Sequence, residues 1–277
     1  MQPLASKRTR VWWCTTGPLA FLPIHAAGIY GEDNTGPGFC VPDFTICSYT
    51  PTISELIKKS WRSPAPSTSI LLISQPKTPD LPDLPKTREE VEAVTLKMHQ
   101  EKIVALHLDG PSATVARVKK EIVSFSWIHL ACHAVQNSAR PLQSCFYLES
   151  GKFELLEIMR QHVPNGEVAF LSACQTSAGT EQLSEEAVHL AAGMLAAGYR
   201  GVVATMWAIK DKYGPEVTIS FYEYLLNHTR NCDEHGKRLD GADAAYALDD
   251  AVQALRRRVG DKEDGLMVWI PYVHFGV

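Results

Sequence analysis

Apolar residues in this chain gather in short unbroken runs, and the segments between the runs carry apolar positions three or four residues apart. Unbroken runs suit strands covered on both faces, and the wider spacing is that of helices lying on those faces. SILLIS at 69–74, KIVALHL at 102–108, SFSWIHLACH at 124–133, EVAFLSAC at 167–174 and GVVATMW at 201–207 therefore predict strands, with shorter ones at TICSY, 45–49, and FYLES, 146–150. Helices are predicted at TISELIKKSW from 52, TREEVEAVTLKMHQ from 87, SATVARVKKEIV from 112, KFELLEIMRQHV from 152 and SEEAVHLAAGMLAAGY from 184. Two more follow at GPEVTISFYEYLLNH from 214 and GADAAYALDDAVQALRRRV from 241. Several carry start signals. Thr52 or Ser54, and Ser184, can cap their helices; Thr87 with Glu90 three residues on forms a capping box; Pro215 suits a first turn. Ahead of all these, RVWWC and LAFLPIH flank the turn signal TTGP and predict an N-terminal β-hairpin. Strand alternating with helix gives an α/β fold, a mainly parallel sheet with helices on both faces, and ligands in such sheets gather beyond the carboxyl ends of the strands.

Composition narrows the function by exclusion. With 45% hydrophobic residues in 277, the chain can bury a large core. A net charge of -4, with no basic run, argues against nucleic acid or anionic membrane as a partner. Residues 7–29 resemble a targeting signal only superficially, since Gly17, Pro18, Pro23 and His25 break the apolar run. The seven cysteines, Cys14, Cys40, Cys47, Cys132, Cys145, Cys174 and Cys232, are odd in number and form no C-x-x-C pair. That is poor material for a disulfide framework or a structural zinc site, and it points to a reducing, cytoplasmic setting.

Two strand ends carry unusual chemistry. IHLACHA delivers Cys132 and His133, and VAFLSACQTSAGT delivers Ser172 and Cys174 into a small, polar loop. If the two strands are neighbours, a histidine and a cysteine meet across one crevice. An imidazole in reach can take the proton of a thiol that otherwise titrates near pH 8.5, leaving a nucleophilic thiolate. Adjacent strand residues point to opposite faces, so Cys132 is expected to be a buried structural thiol. His129 and His133 lie about 13 Å apart along an extended strand, too far for one metal ion.

At these residues the sequence resembles the caspase-like cysteine peptidases, and among them the CHAT family. The resemblance rests on HLACHA, LSACQT and AAGMLAAGYRGVVATMWAIKD, with LAFLPIHAAG, SYTPTISEL, TREEVEAV and WIPYVHFG in support. It implies one caspase-like three-layer domain over 1–277, with an N-terminal subregion at 1–65 and the protease-like core at 66–277. It also implies a cysteine endopeptidase in which His133 is the general base and Cys174 the nucleophile, with the backbone N–H groups of Ala134 and Cys174 as oxyanion hole. Cys174 follows His133 by 41 positions, comparable with the roughly 50 between base and nucleophile in caspases. Two departures stand out. Many relatives place glycine where this chain has Ala134, and SACQT lacks the caspase glycine, so specificity for aspartate does not carry over.

Asp211, after MWAIK, is the candidate for a specificity pocket, because a comparable acid in separases recognises a basic substrate residue; its simpler role is to order the turn before Pro215. His25 reads as a hydrogen-bonded structural histidine, Glu185 and Glu186 as first-turn acids, and HTRNCDEHGKRLDGAD, 228–243, as a solvated loop. GIYGEDNTGPG has no Gly-Lys-Ser/Thr and no following helix, so it is no phosphate loop. No metal or organic cofactor is expected. The partners implied are a protein or peptide substrate and, in a longer parent chain, a regulatory repeat or nucleotide-binding module. The alternative from another class is a catalytically silent interaction or scaffold module in a signalling or immune-type assembly.

Overall fold

The apolar runs become neighbouring strands. The computed structural model describes residues 8–30, 39–137, 139–172, 174–175, 186–232 and 236–277. In chain order the elements are β1 (Thr9–Trp13), α1 (Val41–Phe44), β2 (Thr45–Tyr49), α2 (Ile53–Ser60), β3 (Ser69–Ser74), α3 (Lys86–Gln100), β4 (Val104–Asp109) and α4 (Val115–Glu121). Then come β5 (Trp127–Ala131), β6 (His133–Val135), β7 (Cys145–Leu148), β8 (Gly151–Glu154), α5 (Leu155–Gln161), β9 (Val168–Leu171), β10 (Cys174–Gln175) and α6 (Glu186–Ala197). The chain closes with β11 (Gly201–Thr205), α7 (Gly214–Asn227), β12 (Arg230–Cys232), β13 (Gly236–Arg238), α8 (Ala244–Val259), α9 (Glu263–Trp269) and β14 (Tyr272–Gly276).

Eight strands form the main sheet in the order β1-β2-β14-β11-β9-β5-β3-β4. Every pair is parallel except β11 with β14, so the strands from β11 to β4 run one way and β14, β2 and β1 the other. Alternate residues supply opposite faces. Ile70 and Leu72 pack with Val91, Val94, Phe221 and Leu248 of α3, α7 and α8; Leu71 and Ile73 pack with Val118 of α4, Ile158 of α5 and Met194 of α6. The result is the expected three-layer α/β sandwich with a mostly parallel sheet.

The N-terminal hairpin does not form. RVWWC pairs in parallel with β2, Thr9 opposite Thr45 through Trp13 opposite Tyr49, while LAFLPIH is taken up by two 3-10 turns, Gly17–Phe21 and Ile24–Ala26. Pro18 and Pro23 lack the N–H groups a second hairpin strand would need. Two other segments also differ from expectation. KFELLEIMRQHV opens as β8 before turning helical at Leu155, and part of the 228–243 loop is a small hairpin, Arg230 opposite Arg238. Ser184, the expected cap of α6, Glu185, and most of the Gly-rich 28–38 segment lie outside the described residues.

SFSWIHLACH and EVAFLSAC are each two strands. β5 stops at Ala131 and β9 at Leu171, and both chains step into a second sheet ordered β10-β6-β7-β8. The step keeps register: Leu130 pairs with Leu171 in the main sheet and, three residues on in both strands, His133 pairs with Cys174 in the smaller one.

Candidate active site

β6 and β10 run parallel with Cys174 opposite His133 and Gln175 opposite Ala134. Neighbouring strands lie about 4.8 Å apart, so the backbone brings the two residues side by side at the carboxyl ends of two core strands. Their separation in sequence is the register offset of the sheet itself. Ala134 is fully buried, and its φ is not positive, so its β-carbon costs the backbone nothing there.

His133 is 1% exposed. Its Nε2 lies 2.7 Å from the carbonyl oxygen of Pro82, which can only accept, so Nε2 carries the proton and Nδ1 is the basic nitrogen. Nδ1 has no hydrogen-bond partner among the described residues. The loop that presents Pro82 is pinned throughout. Gln75 N–H donates to Ala131 O at 2.9 Å, Leu84 N–H to Pro76 O at 2.8 Å, and Lys86 N–H to Asp211 Oδ2 at 3.1 Å. Pro76, Pro79, Pro82 and Pro85 stiffen it further.

Asp211 thus sits at the same end of the sheet, half-buried, holding the start of α3. Burial raises its carboxyl above the usual carboxylate range, and the charge of Glu90 adds to the rise against the pull of the Lys86 N–H.

The capping box is overturned. α3 begins at Lys86, one residue before Thr87, whose hydroxyl donates back to Leu84 O at 2.7 Å. Glu90 turns inward and is 2% exposed. Its Oε1 takes His129 Nε2 at 3.0 Å and Thr218 Oγ1 at 2.6 Å, and its Oε2 accepts from Ser172 Oγ at 3.0 Å. His129 stacks on Phe170 with ring centroids 4.8 Å apart, and its Nδ1 meets Tyr222 OH at 3.3 Å. Burial, helped by the Glu90 charge, pushes the Tyr222 phenol well up. A sequence signal for this cluster existed: Thr87, Glu90, Val91, Val94 and Met98 share one helical face, the face that is buried. The Pro82 carbonyl had none, because a backbone acceptor leaves no residue type to read.

The remaining expectations fall to structural roles. Cys132 is a buried thiol in the core with Leu130 and Ala134. His25 Nδ1 meets Tyr49 OH and its Nε2 the Ile270 carbonyl, both at 2.8 Å. No group of three or more His, Cys, Asp or Glu among the described residues is arranged to hold a metal ion, and no described helix is long and apolar enough to cross a membrane.

A mostly parallel eight-stranded sheet covered on both faces is the fold shared with the caspase-like structures below. The chain belongs to the CHAT domain family, whose model matches residues 1–277. Among solved structures it is similar to the Arg-specific cysteine proteinase gingipain R, at 11% identity and a TM-score of 0.52 over 83% of this chain and 53% of that one. The complex of the Porphyromonas gingivalis RgpB pro- and mature domains gives 11% identity and 0.59 over 99% and 66%. A Saccharomyces cerevisiae separase-securin complex gives 14% and 0.55 over 86% and 14%. The chain therefore spans only part of the length of each of these structures. A search of curated proteins returned no match.

Proposed function

We propose that this domain is a cysteine endopeptidase working through Cys174 and His133. The observation that carries the reading is the β6–β10 register, together with a histidine whose Nε2 is committed to Pro82. In this mechanism His133 Nδ1 accepts the Cys174 proton and the thiolate attacks a peptide carbonyl carbon. The backbone N–H groups of Ala134 and Cys174 hold the tetrahedral oxyanion. As the intermediate collapses, the imidazolium gives its proton to the leaving amine. Water, deprotonated by the same nitrogen, then attacks the thioester and releases the new carboxylate and the thiol. Pro82 fixes the ring and stabilises the imidazolium through its carbonyl dipole.

Asp211 is proposed to read a basic substrate side chain with the carboxylate oxygen that Lys86 does not use, in addition to holding the loop. Asp211→Ala would then lower cleavage after Lys and Arg more than after neutral residues. A uniform loss across all residues would leave Asp211 only the structural role. The substrate is proposed to be a protein or peptide in a reducing, cytoplasmic compartment. In support, Cys14, Cys40, Cys47 and Cys145 lie outside any disulfide, and one structural neighbour was solved with a protein partner, securin.

The scaffold alternative is favoured by one observation, the 1% exposure of His133, since a substrate carbonyl must approach it. Alkylation separates the two readings. Cys14 is exposed and serves as an internal reference, while Cys145 is buried and its thiol pushed up by that burial. Iodoacetamide at pH 7 is expected to label Cys174 faster than Cys14, and His133→Ala to abolish that preference. Equal labelling in both proteins would contradict the dyad.

A further inference from the structure

The mechanism above leaves Glu90 without a task, although it is a carboxyl buried where an unfilled one would be costly. Its oxygens are filled by donors from three separate elements: His129 on β5, Thr218 on α7, and Ser172 between β9 and β10. The third of these is unlike the others. His129 and Thr218 lie within regular elements, whereas Ser172 lies past the end of the β9 ladder and two residues before Cys174. The room for this contact is kept by Gly214 at the start of α7, where a β-carbon would come 2.9 Å from Glu90 Oε2 and 3.5 Å from Ser172 Oγ.

Glu90 is also tied to the histidine. It lies in the first turns of α3, whose first N–H is held by Asp211, and four residues before that start the same chain presents the Pro82 carbonyl to His133 Nε2. One side chain therefore touches the approach to Cys174 and belongs to the element that anchors the orienting carbonyl of His133. The geometry points to Glu90 as the positioning residue of the dyad, acting on Cys174 through the Ser172 hydroxyl and on His133 through α3 and the Pro82 loop. This rests on the endopeptidase reading given above. The physical need is plain: Ser172 lies between the β9 ladder, which ends at Leu171, and the β6–β10 ladder, which includes Cys174, so backbone pairing of neither strand holds it, and displacements of about 1 Å in reacting groups cost orders of magnitude in rate.

The test reads the ratio of Cys174 to Cys14 labelling by iodoacetamide in folded wild type, His133→Ala, Ser172→Ala and Glu90→Gln. Loss of stability alone does not move this ratio, because both thiols are read in the same folded molecules. Ser172→Ala and Glu90→Gln are expected to lower it about tenfold, towards the His133→Ala value. On any peptide that the wild type cleaves, kcat should fall by a similar factor while KM stays unchanged. Glu90→Gln can lose the fold by setting an amide donor against a hydroxyl donor. Ser172→Ala removes one hydroxyl and keeps the remaining contacts of Glu90, so it decides. An unchanged ratio in folded Ser172→Ala overturns the inference and leaves the dyad standing. A wild-type ratio that His133→Ala does not alter overturns the dyad reading, and this inference with it.

Discussion

His133 is buried and His25 partly buried, and their hydrogen bonds give the two imidazoles different surroundings. His25 has both nitrogens engaged, by Tyr49 OH and the Ile270 carbonyl, and burial draws its pKa from 6.5 to about 4. Among the described residues His133 has only Nε2 engaged, which leaves Nδ1 as the nitrogen able to accept a proton. The His25 shift makes a stability prediction. Below pH 6.5 the unfolded chain takes up a proton that folded His25 refuses until about pH 4, so stability falls as pH falls through that window. Between pH 7 and pH 5 the loss from this residue is about 2 kcal/mol. His274, pushed well down by burial and then by the charge of Arg10, acts in the same direction. Urea midpoints at the two pH values are expected to fall further for wild type than for His25→Gln. Equal falls would show that His25 is not the source. At this scale the pairing of His133 with Cys174 across β6 and β10 was legible because strand ends that carry His and Cys are rare in an apolar run. Glu90 was not, because T-x-x-E satisfies a local capping pattern whether or not the helix starts there.

Helix α2 shows the same contrast between a local pattern and a tertiary role. Lys58 and Lys59 look alike in sequence as last-turn cations, yet Lys59 is 7% exposed. Its Nζ donates to Leu195 O at 2.8 Å and Tyr199 O at 2.7 Å, and Arg62 Nη1 donates to Gly198 O at 2.6 Å. These cations cap the carboxyl end of α6, the next helix in the chain after β10. Burial brings the Lys59 ammonium down to about 8. Lys59→Met keeps the length and loses the donors, so it is expected to cost about 2 kcal/mol in urea unfolding, with carbonyls of the α6 end left unfilled. A change within experimental error would mean that Arg62 alone suffices. Among the strands, SILLIS and GVVATMW were readable as continuous apolar runs. The split of SFSWIHLACH at Cys132 was not, because both halves are buried and hydrophobicity does not record a change of sheet.

For the whole molecule, the parallel half of the sheet follows from alternating strand and helix. The reversed edge of β14, β2 and β1 was not predicted, since it joins the two ends of the chain through pairings that no local signal marks. The same architecture recurs at 11 to 14% identity in structures of a gingipain and a separase, so the fold does not depend on particular core residues, and the candidate site lies at its strand ends. The central claim is peptide-bond hydrolysis at one of those ends. It is tested most directly by incubating the protein with a peptide library and reading new termini by mass spectrometry, with Cys174→Ala and His133→Ala in parallel. A defined set of cleavages by wild type that disappears in both folded variants is the predicted result. No cleavage by a wild type whose Cys174 is selectively alkylated, or the same cleavages from Cys174→Ala, would contradict it.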